Sequence, residues 1–281
     1  MSSPTSVISA AELAAAPTAG THVVVLEILR DRATIPAPLA VGLGERPAGH
    51  LPGAHVVDFA EFLGPRTGTS GDAPLPELSQ VRDLVERTGI RDDSLIVVYS
   101  HDLASSATRA WWVLRWAGLA DVRYLDGGAH AWLAAGGELT QSRPPAGGGA
   151  AELRLGALPT LDAGTAAALA RNGHLLDSRG ADWYAGSVPD AIGGHIPGAH
   201  SLPGDEDPRA GHFADKAALR SRYAPYLDGA PIGAYCGGGV AATLDVLALS
   251  TLGVAAALYP GSWSQWITDP ARPIATGAAR G

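Results

Sequence analysis

Cys236 is the one cysteine of the 281-residue chain, and it lies where the apolar run Pro231 to Tyr235 ends at three consecutive glycines, 237–239. The amphipathic stretch Val240 to Leu252 follows the glycines. This order predicts a strand, a tight loop and a helix, with the sulfur at the N-terminus of the helix. Unpaired backbone amides and the helix dipole stabilise an anion at that position. The sequence therefore predicts a thiolate nucleophile.

A free cysteine can also be a small buried hydrophobe with no chemical role. Packing alone does not require a loop without side chains, which costs about 0.5 to 1 kcal/mol per glycine relative to alanine. An anion-binding concavity of converging backbone amides does require such a loop. We therefore predict that the sulfur is surrounded by the backbone N–H groups of five consecutive residues: Gly237, Gly238, Gly239, Val240 and Ala241.

Composition narrows the class of protein. A formal net charge of −8 argues against nucleic acid or an acidic membrane as a partner, because both require a basic surface. One cysteine forms no internal disulfide and no Cys-rich metal site, and the histidines form neither His-x-His nor HExxH, so no metal site is expected. No apolar stretch is long enough to span a membrane, and residues 1–16 lack the basic start of a signal peptide. The expected location is the cytoplasm.

The chain repeats itself at an offset of about 135 to 145 residues, which indicates a duplicated domain rather than a short-period solenoid. GHLPGAH (Gly49 to His55) matches GHIPGAH (Gly194 to His200), LIVVYS (Leu95 to Ser100) matches APIGAYC, and DGGAHAW matches PGSWSQW. The Pro- and Gly-rich stretch Gly136 to Leu158 is predicted to be the linker. We predict domains at residues 1–143 and 150–281.

Short apolar runs alternate with helical patterns in each half, which favours an α/β fold with a parallel sheet flanked by helices on both faces. Ligands of such sheets bind at the carboxyl ends of the strands, where Cys236 lies. Ser9 and Glu12 predict a capping box for a helix at Ala10 to Ala16, and Ser262 is expected to cap a later helix. The predicted strands of the second half are His174 to Ser178, Ala199 to Leu202, Pro231 to Tyr235 and Ala255 to Tyr259. Its predicted helices are Leu161 to Ala170, Lys216 to Arg222 and Val240 to Leu252.

The two halves differ at the predicted nucleophile. Ser100 is the counterpart of Cys236, and His101 and Asp102 follow it where the second half has glycines. Two domains that use this position only for packing would not need such different loops. The sequence therefore predicts a first domain without a nucleophile and a second domain that carries the chemistry.

These ordered motifs, together with RAWWVLRWAG (Arg109 to Gly118) and YLDGGAHAWLAAGG (Tyr124 to Gly137), resemble the tandem-domain rhodanese family of thiosulfate and 3-mercaptopyruvate sulfurtransferases. The resemblance implies a structural first domain and a second domain in which Cys236 accepts a sulfane sulfur as a persulfide. It also implies a small-molecule sulfur donor and an acceptor that is cyanide or a thiol, with thioredoxin as a candidate. No cofactor and no metal are implied.

The sequence of the cysteine loop and the arginines of the second half indicate which sulfur donor the protein uses. The Cys-Gly-Gly-Gly-Val-Ala loop lacks the basic pair of thiosulfate enzymes and is closer to the Cys-Gly-Ser-Gly-Val-Thr of mercaptopyruvate enzymes, with Gly238 and Ala241 replacing the two hydroxyl residues. Arg179 matches the Asp-Ser-Arg motif of the family and is the predicted anchor of the donor's anionic group, or else an ion-pair partner of Asp177. A second arginine of the family falls on Trp183. The histidines of the two GHxPGAH segments, His50 and His195, are expected to hold their turns in place, because the motif occurs in both halves. The resemblance to mercaptopyruvate enzymes leaves a contribution of His50 to the site as the alternative.

A phosphatase and a non-catalytic module are the two alternative classes of function for this sequence. A phosphatase of similar fold uses a Cys-x5-Arg loop, but the sixth residue after Cys236 is Ala242, which argues against phosphate chemistry. A non-catalytic binding or regulatory module is the main alternative, since it would explain the departures in the loop and the arginines. A module without turnover has no need of the thiol, so the retained cysteine favours the enzyme.

Overall fold

The computed structural model describes residues 5–41, 43–145, 147–189, 191–204, 212–213 and 215–281. These divide into two compact units. The first unit comprises Met1–Leu63, Pro76–Leu158 and Glu206–Phe213. The second unit comprises Gly64–Leu75, Pro159–Asp205 and Ala214–Gly281.

The first unit contains a parallel sheet with the strand order β1-β5-β4-β2-β3 among its described residues. The strands are β1 (Val7–Ile8), β2 (Val23–Leu29), β3 (Ala54–Asp58), β4 (Leu95–Tyr99) and β5 (Val122–Leu125). The α-helices are α1 (Ala10–Ala15), α2 (Ala37–Ala40), α3 (Leu78–Thr88), α4 (Ala104–Trp116) and α5 (Gly128–Ala134). Short 3-10 helices lie at Pro17–Ala19, Arg32–Thr34 and Phe59–Phe62.

The second unit contains a parallel sheet with the order β7-β6-β8-β9 in the described part of the chain. The strands are β6 (His174–Asp177), β7 (His200–Ser201), β8 (Ile232–Tyr235) and β9 (Ala256–Leu258). The α-helices are α6 (Ala163–Asn172), α7 (Ala181–Ala185), α8 (Lys216–Tyr223), α9 (Ala242–Thr251) and α10 (Ser262–Trp266), and a 3-10 helix lies at Ala224–Tyr226.

The central strands explain why the sequence folds into parallel sheets. Every residue of β4 and of β8 is buried, as expected for strands covered on both faces. Helix α1 begins at the predicted capping box, with the Ser9 hydroxyl accepting from the Glu12 amide and the Glu12 carboxylate accepting from the Ser9 amide. The α/β architecture predicted from the alternating pattern is confirmed, with observed elements within two residues of the predicted bounds.

The internal repeat is present in atomic detail. The Tyr99 hydroxyl accepts from the Leu51 amide at 3.1 Å, and the Tyr235 hydroxyl accepts from the Ile196 amide at 3.2 Å. His50 pairs with Thr140 through two backbone hydrogen bonds, and His195 pairs with Ala275 in the same way. The GHxPGAH segment is therefore held by the same framework in each half.

The two units are not simply the parts of the chain before and after the predicted linker. The glycine-rich part of the predicted linker belongs to the first unit, because the amides of Gly147 and Gly149 donate to the carbonyls of Arg87 and Glu86 at the end of α3. Gly64–Leu75 belongs to the second unit, although it lies in the first half of the sequence. Among the described residues, no helix is long and apolar enough to cross a membrane.

Candidate active site around Cys236

Cys236 follows the last residue of β8, at the carboxyl end of a central strand. It is a free thiol that is 3% exposed. The Gly239 amide donates to its sulfur with an N–Sγ distance of 3.1 Å. The predicted arrangement of strand, glycine loop and helix is present, with α9 beginning two residues later than predicted, at Ala242.

Helix α10 holds the cysteine loop through its own N-terminus. The amides of Trp263 and Ser264 donate to the carbonyls of Cys236 and Gly237 at 3.0 and 2.8 Å. The Ser262 hydroxyl accepts from the Cys236 amide at 3.1 Å and donates to the Tyr259 carbonyl at 2.9 Å. The backbone on both sides of the sulfur is therefore fixed by the PGSWSQW segment.

Ser262 has a different role from the predicted one. The residue preceding α10 is Gly261, and no side chain of the described residues caps this helix. Ser262 is instead fully buried, and its backbone has a positive φ of 51°, which is uncommon for a residue other than glycine. The prediction of a capping serine is wrong, because the hydroxyl points to the cysteine loop. Its position in the repeated segment was the only sequence signal for this contact.

Gly239 is required by the loop geometry. Its φ is 81°, and a Cβ at this position would lie 2.2 Å from the carbonyl oxygen of Pro260. A Cβ on Gly237 would meet no atom of the described residues within 4 Å, apart from its neighbours in the chain. The glycine run therefore includes one position where the backbone approaches too closely for any side chain, beside the amide that binds the sulfur.

Arg179 is buried and 8% exposed. It donates from Nε and Nη2 to the Asp177 carboxylate at 2.9 and 2.6 Å, and from Nη2 to the Gly194 carbonyl at 2.6 Å. Burial opposes the charged form, but hydrogen bonding and charge attraction from Asp177 outweigh it and raise the pKa of Arg179. The guanidinium also stacks on the Trp263 ring, 4.4 Å from its centroid.

These contacts are those of the ion pair with Asp177, the alternative that the sequence left open. Nη1 is buried and has no hydrogen-bond partner among the described residues. It is the guanidinium nitrogen that the ion pair with Asp177 does not use. Trp183, where the family has its second arginine, lies on α7 with 40% of its surface exposed.

A buried carboxylate near the start of α9 escaped the sequence analysis. Asp245 accepts from the Ser178 hydroxyl and from the Tyr223 hydroxyl, each at 2.5 Å. Burial and the neighbouring Asp245 raise the pKa of Tyr223 above its ordinary value. The contact ties the Asp-Ser-Arg segment and α8 to the helix that follows the cysteine loop. A lone acid in an otherwise apolar helix was the signal that could have revealed it.

His50 belongs to the first unit and lies beside a buried acid. Its Nδ1 is 3.1 Å from Oε2 of Glu27, which also accepts from the Tyr99 hydroxyl at 3.0 Å. Burial raises the pKa of Glu27, but His101, Tyr99 and His50 outweigh burial and lower it. His195, the counterpart of His50, is fully buried, stacks on Tyr184 and forms a hydrogen bond to the Tyr184 carbonyl at 2.9 Å.

The loop after β4 is the counterpart of the cysteine loop. Asp102 is 3% exposed, and its carboxylate accepts from Arg32 Nη2 at 2.7 Å and from Arg46 Nε at 2.9 Å. Burial raises the pKa of Asp102, but the two arginines outweigh burial and lower it. The Asp102 amide donates to the Ser100 hydroxyl at 3.3 Å.

Comparison with known proteins places this geometry in a family. The model of the rhodanese-like domain matches residues 44–135 and 162–269. SseB of Mycobacterium tuberculosis, assigned as a thiosulfate sulfurtransferase, is 41% identical over 283 residues, covering 97% of each chain. A Pseudomonas aeruginosa protein assigned as a 3-mercaptopyruvate sulfurtransferase is 40% identical over 240 residues, covering 81% of this chain and 84% of that protein. The crystal structure of YnjE superposes with a TM-score of 0.81 at 20% identity, covering 100% of this chain and 71% of that one.

The chain belongs to the rhodanese family and contains two copies of its domain. It is a sulfurtransferase, which confirms the enzyme class predicted from the sequence and sets aside the non-catalytic module. The likeness to YnjE supports the fold alone. The two relatives with about the same identity carry different donor names, so identity does not select the donor.

Proposed function

We propose that the protein transfers a sulfane sulfur through a persulfide on Cys236. The observation that carries this proposal is the hydrogen bond from the Gly239 amide to Sγ, in a loop whose backbone is held by α10. A donor N–H directed at sulfur stabilises negative charge there, in the thiolate before the reaction and in the persulfide after it. The amides of Gly237, Gly238, Val240 and Ala241 are proposed to bind the outer sulfur of the persulfide.

The first half-reaction is a displacement at sulfur. With thiosulfate, the Cys236 thiolate attacks the outer sulfur, the S–S bond of the donor breaks, and sulfite leaves with the bonding pair. With 3-mercaptopyruvate, the thiolate attacks the thiol sulfur and the C–S bond breaks. The pair then goes to carbon as the enolate of pyruvate, which takes up the proton of the donor thiol. Both routes leave the same persulfide.

The second half-reaction returns the enzyme to its starting state. A cyanide ion or an acceptor thiolate attacks the outer sulfur of the persulfide, the S–S bond breaks, and the Cys236 thiolate leaves. The products are thiocyanate or an acceptor persulfide. Thioredoxin is a proposed thiol acceptor.

Arg179 is proposed to contribute in two ways. Nη1 is the guanidinium nitrogen that remains to meet an anionic donor, and the contact with Trp263 supports α10, which holds the cysteine loop. His50 is proposed to contribute through its ring, which Glu27 orients at Nδ1. We favour 3-mercaptopyruvate over thiosulfate as donor, since the loop carries no basic side chain.

The test is thiocyanate production from cyanide with each donor in turn, for the wild type and for Cys236→Ser. We expect turnover by the wild type with at least one donor and none by the serine variant, whose hydroxyl cannot form a persulfide. The ratio of the two kcat/KM values then identifies the donor. Equal activity in the serine variant, or no turnover and no sulfur bound to the wild type, would overturn the proposal.

A further inference from the structure

The segment Gly64–Leu75 belongs to the second unit and is fixed against α10. Its Thr69 carbonyl accepts from Gln265 Nε2 at 3.0 Å, and its Asp72 amide donates to the Ser264 hydroxyl at 2.9 Å. Gly71 has a φ of 81°, and a Cβ there would lie 2.7 Å from the Gly261 carbonyl oxygen. The segment therefore approaches the backbone of the same helix N-terminus that holds the cysteine loop.

Asp72 occupies the space beside Gly238. A Cβ on Gly238 would lie 3.1 Å from the Cβ of Asp72, which is tighter than ordinary van der Waals contact. Residue 238 is the loop position where mercaptopyruvate enzymes have a serine, and here a residue from a distant part of the sequence lies next to it. Covalent geometry and the 3.1 Å contact between Gly239 and Sγ put the Asp72 Cβ within roughly 10 Å of the sulfur.

Arg66 accompanies Asp72. Its Nε donates to the Asp72 carbonyl at 2.9 Å, and its Nη2 forms an ion pair with the Asp72 carboxylate. The two side chains are 65% and 62% exposed, so both charges face solvent beside the loop. The Asp72 carboxylate extends past its Cβ, so covalent geometry puts it within roughly 13 Å of the sulfur. This is well inside the Debye length of about 30 Å at 0.01 M salt, so an approaching anion responds to this charge at low ionic strength.

We propose that the Arg66–Asp72 pair sets the charge preference of the donor site at Cys236. This proposal rests on the proposed function and deepens it. Asp72 opposes an anionic donor and Arg66 offsets that repulsion. The effect scales with the charge of the donor, so it is larger for thiosulfate, with two negative charges, than for 3-mercaptopyruvate, with one.

Asp72→Asn removes the repulsion and keeps the shape of the side chain. We expect kcat/KM to rise about 4-fold for thiosulfate and about 2-fold for 3-mercaptopyruvate at low ionic strength, since the interaction energy doubles with donor charge and the fold-change is therefore squared. Arg66→Gln leaves Asp72 without its partner and is expected to lower both values, with thiosulfate again affected more. High salt is expected to remove these differences.

A second readout does not depend on turnover. Iodoacetate is an anion and iodoacetamide is neutral, and both alkylate a thiol, which in this chain is Cys236 alone. The rate with iodoacetate divided by the rate with iodoacetamide is expected to rise about 2-fold in Asp72→Asn and to fall in Arg66→Gln. Asp93→Asn is the matched control, because Asp93 is also an exposed acid paired with an arginine, Arg91, and lies in the first unit.

The outcomes separate this proposal from the function itself. If neither donor turns over but the alkylation ratio moves as expected, the charge proposal stands and the proposed function fails. If donors turn over but Asp72→Asn and Arg66→Gln give the same ratio as Asp93→Asn, the charge proposal is overturned and the function stands. Equal fold-changes for the two donors would also overturn it, because they would show an effect that is independent of donor charge.

Discussion

The loops after β4 and β8 share one framework and differ in what lies at the helix N-terminus that follows. In the second unit, a cysteine sulfur accepts from a glycine amide, and Gly238 next to it carries no side chain. In the first unit, the corresponding loop carries Asp102, a buried carboxylate that is neutralised by Arg32 and Arg46. The loop of the second unit directs a backbone amide at a sulfur atom, whereas the loop of the first unit contains a buried carboxylate paired with arginines.

The two units also differ in the residues around a buried acid on the neighbouring strand, β2 in the first unit and β6 in the second. Glu27 and Asp177 pair in register with Tyr99 and Tyr235, so they are equivalent positions in the two sheets. Glu27 is surrounded by histidines, whereas Asp177 is paired with Arg179. A buried acid at this position needs hydrogen-bonding or charged partners, and each unit provides them with different residues. The duplicated framework therefore fixes where charges must lie but leaves their identity open to change.

The largest expected effect comes from a substitution that distorts the cysteine loop after β8. In Gly239→Ala, the Cβ meets the Pro260 carbonyl, so the loop must move and the amide shifts from the sulfur. A displacement of about 1 Å at a reacting group costs about 100-fold in rate, and we expect thiocyanate production to fall by at least that factor.

Gly237→Ala is the matched control for this variant. It is expected to melt within a few degrees of the wild type, since its Cβ meets open space. Thermal melting and the rate of Cys236 alkylation by iodoacetamide are measured for both variants. A Gly239→Ala protein with wild-type alkylation and turnover would show that the amide contact is not needed.

The next effect is on the stability of the first unit. Asp102→Asn keeps the shape of the side chain but removes the charge that Arg32 and Arg46 share. Breaking a buried ion pair costs about 3 to 5 kcal/mol. The side chains of the two arginines are 39% and 29% exposed, so water solvates their charges in the variant and reduces this cost. We therefore expect the free energy of unfolding to decrease by about 2 kcal/mol. Urea unfolding checks the value, and Asp93→Asn, with its exposed partner, is expected to lose less than about 1 kcal/mol. Equal losses in the two variants would contradict the assignment.

The smallest expected effect is a decrease in the stability of the second unit at acidic pH. His200 lies 3.3 Å from the His174 ring nitrogen and against the Tyr226 ring, and His174 also contacts Asp228. Burial, followed by Arg280 and His174, lowers the pKa of His200 to about 4. The folded protein therefore resists protonation at this residue. Its stability is unaffected above about pH 6.5 and decreases as the pH falls from there towards 4.

His200→Gln should reduce this loss of stability. Because the ring is partly exposed, we expect the difference from the wild type to be about 1 kcal/mol or less at pH 5. Melting temperatures at pH 7 and pH 5 provide the measurement, with His130→Gln, an exposed histidine on α5, as the control. If the His200→Gln protein loses as much stability in acid as the control, His200 is not the source of the pH dependence.

Much of the framework could be predicted from the sequence because periodic apolar runs and a repeated motif act locally. The strand before Cys236, the helix after it and the capping box at Ser9 depend on neighbours in the chain. Ser262 accepts from the Cys236 amide, Asp245 accepts from Ser178, and the segment Gly64–Leu75 lies against α10. These contacts join residues that are far apart in the sequence, and no local pattern indicates them. Arg179 shows the same limit, since its motif is visible but its pairing with Asp177 and Gly194 appears only in three dimensions.

In the proposed reaction, Cys236 in the loop after β8 carries the transferred sulfur. The intact mass of the protein, measured after incubation with thiosulfate or 3-mercaptopyruvate and without an acceptor, tests this most directly. We expect a mass gain equal to one sulfur atom in the wild type, which is lost again on addition of cyanide and is absent from Cys236→Ser. No gain with either donor, or the same gain in the serine variant, would contradict it.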